Sequence, residues 1–253
     1  MIHLRYFIEL SYKGTHYHGW QYQPNAISVQ EKINEGLSKL LKSKINIMGA
    51  GRTDAGVHAL QMFAHFDVET EFEFEVILFK LNSYLPDDIV IKAITKVADK
   101  AHARFDAISR SYEYRLYIGR NPFLLETTWQ LFHQKLDVNK MNEAAAILLN
   151  HTNFKCFSKA MTDVKTFDCD VTEAYWELNN DLLTFHITAN RFLRNMVRAI
   201  VGTLINVGLN KTSLDDFKII IASEDRSEAG FSVPARGLFL TKIVYPKLNL
   251  KNE

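Results

Sequence analysis

The chain has little of what most cofactor sites require. Its 253 residues hold 2 cysteines, Cys156 and Cys169, with no Cys-x-x-Cys pair and no histidine-rich segment beside them, which argues against a zinc site. Only 5 prolines are present, with no low-complexity tract, and hydrophobic residues make up 47% of the chain. That composition favours neither a disordered nor a fibrous protein. The net charge is +1, so any nucleic-acid partner must be met by a local basic patch and not by overall charge. Long apolar runs are missing too. The N-terminal "MIHLRYFIELSYKG" alternates apolar and polar residues where a signal peptide would be continuously apolar. The most apolar long segment, "MVRAIVGTLINVGL", is shorter than a membrane span and contains Arg198. A cytoplasmic protein without membrane contact is the expectation.

What is present is a regular order of elements. Ile2, Leu4, Tyr6, Ile8 and Leu10 recur at period two, as in a half-buried strand. Ser28 and Glu31 have capping-box spacing ahead of a helix running to about Lys42. Strands follow at "KINIMG" and "HALQMFAHFDV", then a helix "EVILFKLNSYL" stopped by Pro86, then a strand "IVIKAITKV". The second half repeats this order. It has a strand "SYEYRLYI", a helix "VNKMNEAAAILL", strands "VTEAYWEL" and "LLTFHITA", a long helix "RFLRNMVRAIVGTLINVG" and a closing strand "GLFLTKIVY". Each half reads as a β-α-β-β-α-β, ferredoxin-like unit, and the two most economically share a sheet. The expected fold is therefore α+β: two such halves on a mixed, mainly antiparallel sheet flanked by helices. The boundary falls near residue 105, giving units 1–105 and 106–253 without a linker.

One segment puts charge among small residues: "MGAGRTDAGVHA", Met48 to Ala59, with Arg52 and Asp54 between glycines at 49, 51 and 56. Gly51 and Gly56 have phosphate-loop separation, but Val57 and His58 stand where that loop needs Lys and Ser or Thr. No dinucleotide fingerprint forms either, since position 54 is Asp. Taken alone, Asp54 reads as a turn-capping residue or as a catalytic carboxylate. His16 and His18 have His-x-His spacing but no third ligand in reach of the pattern, so no metal is assigned.

The string "GAGRTDAGVHA" resembles the nucleophile motif of the tRNA pseudouridine synthase A (TruA) family. The likeness continues in order through "SYKGTHYHGWQYQP" with "SVQE", "LNSYLPDDI", "HARFDAISRSYEY", "NRFLRNMVRAIVGTL" and "PARGLFLTKIVY". It implies the pseudouridine synthase fold and isomerisation of uridine to pseudouridine at positions 38, 39 and 40 of the tRNA anticodon stem-loop. It also implies a homodimer, and neither metal nor small-molecule cofactor. By the same resemblance Asp54 is the nucleophile or base, Arg198 its charge partner, Tyr112 the residue that contacts the target base, and Arg52 the side chain that fills the gap left by a flipped nucleotide. A carboxylate in a closed site needs a cation to offset desolvation. On a helix turning about 100° per residue, Arg191, Arg194 and Arg198 fall within a sector of roughly 60°, a basic stripe suited to phosphates. His102, Arg104 and Arg110 add positive character ahead of Tyr112. Two other classes compete on the residues alone. A non-catalytic RNA-binding module lacks its aromatic signature here, and a small-molecule enzyme using Asp54 as a base has no cofactor loop to support it.

Overall fold

The structure is a computed structural model that describes residues 4–132, 134–159 and 164–246. The chain forms two compact units: one runs to Ile108 and is taken up again at Leu240, and the other is Ser109–Phe239.

In the first unit, β1 (Leu4–Tyr12), α1 (Val29–Leu41), β2 (Met48–Gly49), β3 (His58–Val68), α2 (Phe74–Tyr84) and β4 (Ile89–Lys96) follow one another. β1 is antiparallel to both β3 and β4, and β2 is antiparallel to β3. This is the sheet order of a ferredoxin-like unit. Tyr6, Ile8, Leu10 and Tyr12 are buried as their period-two spacing requires, and α1 starts with the expected Ser28–Glu31 capping box. The strand expected at "KINIMG" shrinks to Met48–Gly49. Ile45 and Ile47 are buried, yet their backbone N–H groups donate to the Ser38 hydroxyl and the Asn34 carbonyl of α1. Helix side chains thus satisfy the backbone that a ladder would otherwise claim.

The second unit holds β5 (Ser109–Ile118), β6 (Trp129–Leu131), α3 (Val138–Ile147), β7 (Val171–Asn179), β8 (Leu182–Ala189), α4 (Met196–Gly208) and α5 (Leu214–Ser223). β8 lies between β5 and β7, antiparallel to each, while β6 runs parallel to β5. The pairing is mixed and mainly antiparallel, and the class is α+β. The last strand, β9 (Leu238–Val244), begins in the second unit and ends in the first.

Two elements differ from the sequence reading. The long helix starts at Met196 and not at Arg191, because Asn195 takes a left-handed conformation (φ 68°) and its amide donates to the Ser232 hydroxyl at 2.6 Å. Arg191 and Arg194 therefore precede the helix, and the three-arginine helical stripe does not exist. α5 was not foreseen, although Ser213 and Asp216 form a capping box ahead of Phe217 and Ile221, one turn apart and both buried.

A buried histidine makes the first unit sensitive to acid. Burial, reinforced by the Arg5 guanidinium, pushes the His65 imidazole down to about 4, and its Nδ1 accepts the Ala103 N–H at 3.2 Å. The unfolded chain, with an ordinary imidazole, binds a proton that the folded chain refuses between about pH 6.5 and 4. Stability is therefore expected to fall as pH drops through that window, by up to about 1.4 kcal/mol per pH unit from this group. His65→Asn keeps an acceptor but cannot titrate. Denaturant melts at several pH values should show a shallower slope for that variant.

Candidate active site

Asp54 sits in the turn between β2 and β3. Its carbonyl accepts the Val57 N–H at 3.2 Å, and Gly56 at φ 78° supplies the left-handed step that closes the turn. The turn is moulded by the loop after β1. Trp20 N–H donates to the Thr53 carbonyl, and Gly56 N–H donates to the Tyr17 carbonyl. The Tyr12 and Thr53 hydroxyls lie 2.8 Å apart, and Tyr17 donates its hydroxyl to Asp88 at 2.5 Å. The rings of Tyr12, Tyr17 and Trp20 are buried. Two glycines let the loop come this close: a Cβ on Gly19, itself at φ 89°, would stand 2.3 Å from the Thr53 carbonyl oxygen, and one on Gly14 would stand 2.0 Å from that of Val57. Asp54 is half-buried in this mould, whereas Arg52 is exposed at its rim. His16 and His18 point outward from the same loop. Among the described residues no cluster of three or more His, Cys, Asp or Glu side chains is placed to hold a metal ion.

The second unit places Arg198 in the first turns of α4. Its Nε donates to the Val233 carbonyl at 2.7 Å, and the Val233 N–H returns a bond to the Arg198 carbonyl at 3.2 Å. The segment carrying Val233 is pressed against the helix. A Cβ on Gly202 would lie 1.8 Å from the Phe231 carbonyl oxygen, and Gly230 N–H donates to the Thr203 hydroxyl at 2.8 Å. Arg226 holds the segment from its other side, donating to the carbonyls of Ala229 and Gly230 and to the Ser232 hydroxyl. Tyr112 is half-buried, and its ring meets Phe192 edge-on at 5.0 Å. Two residues along β5, Tyr114 is fully buried, with its hydroxyl on the Pro234 carbonyl at 2.9 Å. Burial pushes the Tyr114 hydroxyl up, opposed by the charges of Arg198 and Arg236. Arg191 is half-buried, and Arg194 is exposed, with its carbonyl accepting the Lys159 N–H.

The structure thus holds the turn that carries Asp54 through Tyr12, Tyr17, Trp20 and two close-packed glycines, and groups Arg198 with Tyr114 and the 226–234 segment. Sequence reasoning missed Tyr12, Tyr17 and Asp88 because a period-two or aromatic pattern says nothing of where a hydroxyl points. It missed Val233 because a backbone carbonyl leaves no trace in residue identity.

Residues 10–106 and 144–246 match the family described as tRNA pseudouridine synthase. The chain belongs to that family. It is 51% identical over 246 residues to tRNA pseudouridine synthase A of Porphyromonas gingivalis, covering 96% of this chain and 97% of the relative. The protein of the same name from Bacteroides fragilis is 49% identical over 245 residues, with 96% and 97% covered. That of Thermoanaerobacter pseudethanolicus is 39% identical over 241 residues, with 94% and 98% covered. Membership spans both units, so the Asp54 turn and the Arg198 segment lie inside the matched residues.

Proposed function

We propose that the chain isomerises uridine to pseudouridine in the anticodon stem-loop of tRNA, at positions 38, 39 and 40, as a cytoplasmic homodimer without metal or cofactor. The observation that carries this is the moulded turn that holds Asp54, half-buried, within a chain belonging to the tRNA pseudouridine synthase family. In the reaction the bond between uracil N1 and ribose C1′ breaks and one between C5 and C1′ forms. C5 gives up its proton and N1 gains one, so no electrons are exchanged overall. A carboxylate suffices for such chemistry, acting as nucleophile on the nucleotide or as base.

In this reading Asp54 acts on the nucleotide and Arg198 balances its charge. Tyr112 stacks on the everted uracil, a contact worth about 1–3 kcal/mol per base. A base inside a duplex must be flipped out to be reached, and Arg52 occupies the place it leaves. Arg191 and Arg194 meet phosphates. If Arg191 makes one such contact, Arg191→Ala should flatten the salt dependence of tRNA binding by about 0.9 in the log–log slope. Filter binding across a salt series checks this, and an unchanged slope removes Arg191 from the interface.

The function itself is tested by mapping pseudouridine in tRNA from cells with and without the gene, after carbodiimide labelling, which marks pseudouridine stably. Loss of the gene should remove the modification at 38, 39 and 40. Unaltered modification there would overturn the assignment.

A further inference from the structure

The end of β1 and the loop after it form one element that does more than pack against the Asp54 turn. It grips the turn at two points on either side of the carboxylate, each through a tyrosine. Ahead of Asp54, the Thr53 hydroxyl meets the Tyr12 hydroxyl at 2.8 Å. The Thr53 carbonyl already accepts the Trp20 N–H, so the hydroxyl pair adds a second, orienting contact to the same residue. Behind Asp54, the Gly56 N–H donates to the Tyr17 carbonyl, and the Tyr17 hydroxyl is held on the Asp88 carboxylate. Asp88 also accepts the Lys13 N–H through its own carbonyl, so it ties both ends of the segment 13–17. A hydrogen bond to an ionised carboxylate is about twice as strong as one between neutral groups.

Both rings are buried, at 4% exposure for Tyr12 and 6% for Tyr17. Ring burial alone would be served equally well by phenylalanine, so packing does not account for the hydroxyls. The β1–β3 ladder slips between Leu10 and Tyr12, so that Leu10 faces Met62 while Tyr12 faces Ala59. That slip falls at the residue whose hydroxyl reaches Thr53.

We propose that the hydroxyls of Tyr12 and Tyr17 are positioning groups for Asp54, setting the rate of the isomerisation and not the affinity for tRNA. The inference rests on the reading of Asp54 as the catalytic carboxylate. A catalytic group displaced by about 1 Å loses about 100-fold in rate, and loss of one of two restraints should cost less than that.

The test is single-turnover pseudouridine formation at saturating tRNA transcript, paired with the dissociation constant for the same transcript. Tyr12→Phe, Tyr17→Phe and Thr53→Val should each lower the rate about 10-fold and leave binding within about twofold. Thr53→Ser keeps the hydroxyl and should keep the wild-type rate. Tyr12→Phe combined with Thr53→Val should be no slower than either alone, because both remove the same contact. If Tyr12→Phe melts too early to assay, Thr53→Ser against Thr53→Val makes the same comparison, and Asp88→Ala, which removes the acceptor of the Tyr17 hydroxyl, stands in for Tyr17→Phe. Wild-type rates in Tyr12→Phe and Tyr17→Phe, equal losses in Thr53→Ser and Thr53→Val, or weaker binding in proportion to the lost rate would each overturn the proposal. Asp54→Asn assayed alongside separates the two readings. An inactive Asp54→Asn with fully active tyrosine variants sinks only the positioning role, whereas an active one sinks the reading beneath it.

Discussion

Asp54→Asn is expected to abolish pseudouridine formation, by at least about 1,000-fold, while tRNA affinity stays within about twofold of wild type. The asymmetry follows from how the turn is built. The contacts that fix its path include those of the backbone carbonyls of Asp54 and Thr53, the Gly56 N–H and the Thr53 hydroxyl. An asparagine side chain disturbs none of them and nearly matches the carboxylate in shape. It removes the negative charge, and with it the ability to act as nucleophile or base. Single-turnover assays with wild-type and variant chains measure the first half of the expectation, and filter binding the second. A variant that binds poorly would show instead that Asp54 belongs to the binding surface.

Gly202→Ala is expected to cost about 3 kcal/mol of stability or more. Its Cβ would fall 1.8 Å from a backbone carbonyl oxygen, that of Phe231, and a backbone atom cannot rotate aside as a flexible side chain can. Relief requires the segment to lift off α4. That segment is held by Gly230 N–H on the Thr203 hydroxyl and by the reciprocal bonds between Val233 and Arg198, so lifting it breaks those contacts together. Denaturant unfolding of wild type and Gly202→Ala measures the loss. Activity should fall with it, since the Arg198 guanidinium loses the carbonyl that orients it. An unchanged unfolding midpoint would mean that the helix and the segment are not locked as described.

At β1 and α1, where burial and local backbone chemistry decide the structure, the sequence was informative, although the equally local capping box of α5 went unread. The alternation of Tyr6, Ile8 and Leu10 marked β1, and the Ser28–Glu31 box marked α1, because both are rules of near neighbours. It was uninformative where a distant side chain intervenes. Ile45 and Ile47 alternate like a strand, yet Ser38 and Asn34 capture their N–H groups. The apolar periodicity before Met196 looks helical, yet Asn195 turns left-handed against Ser232. The site divides the same way. Arg52 and Asp54 stand out as charge among small residues, and a family resemblance that extends over nearly the whole chain gives them, Tyr112 and Arg198 their expected roles. The hydroxyl pair of Tyr12 and Thr53 joins positions 41 apart in sequence, and only the folded chain brings it to view.

The central claim, that the Asp54 carboxylate drives exchange of the N1 bond for a C5 bond, is met most directly by tritium release from tRNA labelled at uridine C5. Purified wild-type chain, with nothing else added, should release tritium to water in proportion to the pseudouridine formed, and Asp54→Asn should release none. Release by Asp54→Asn at the wild-type rate would contradict the claim.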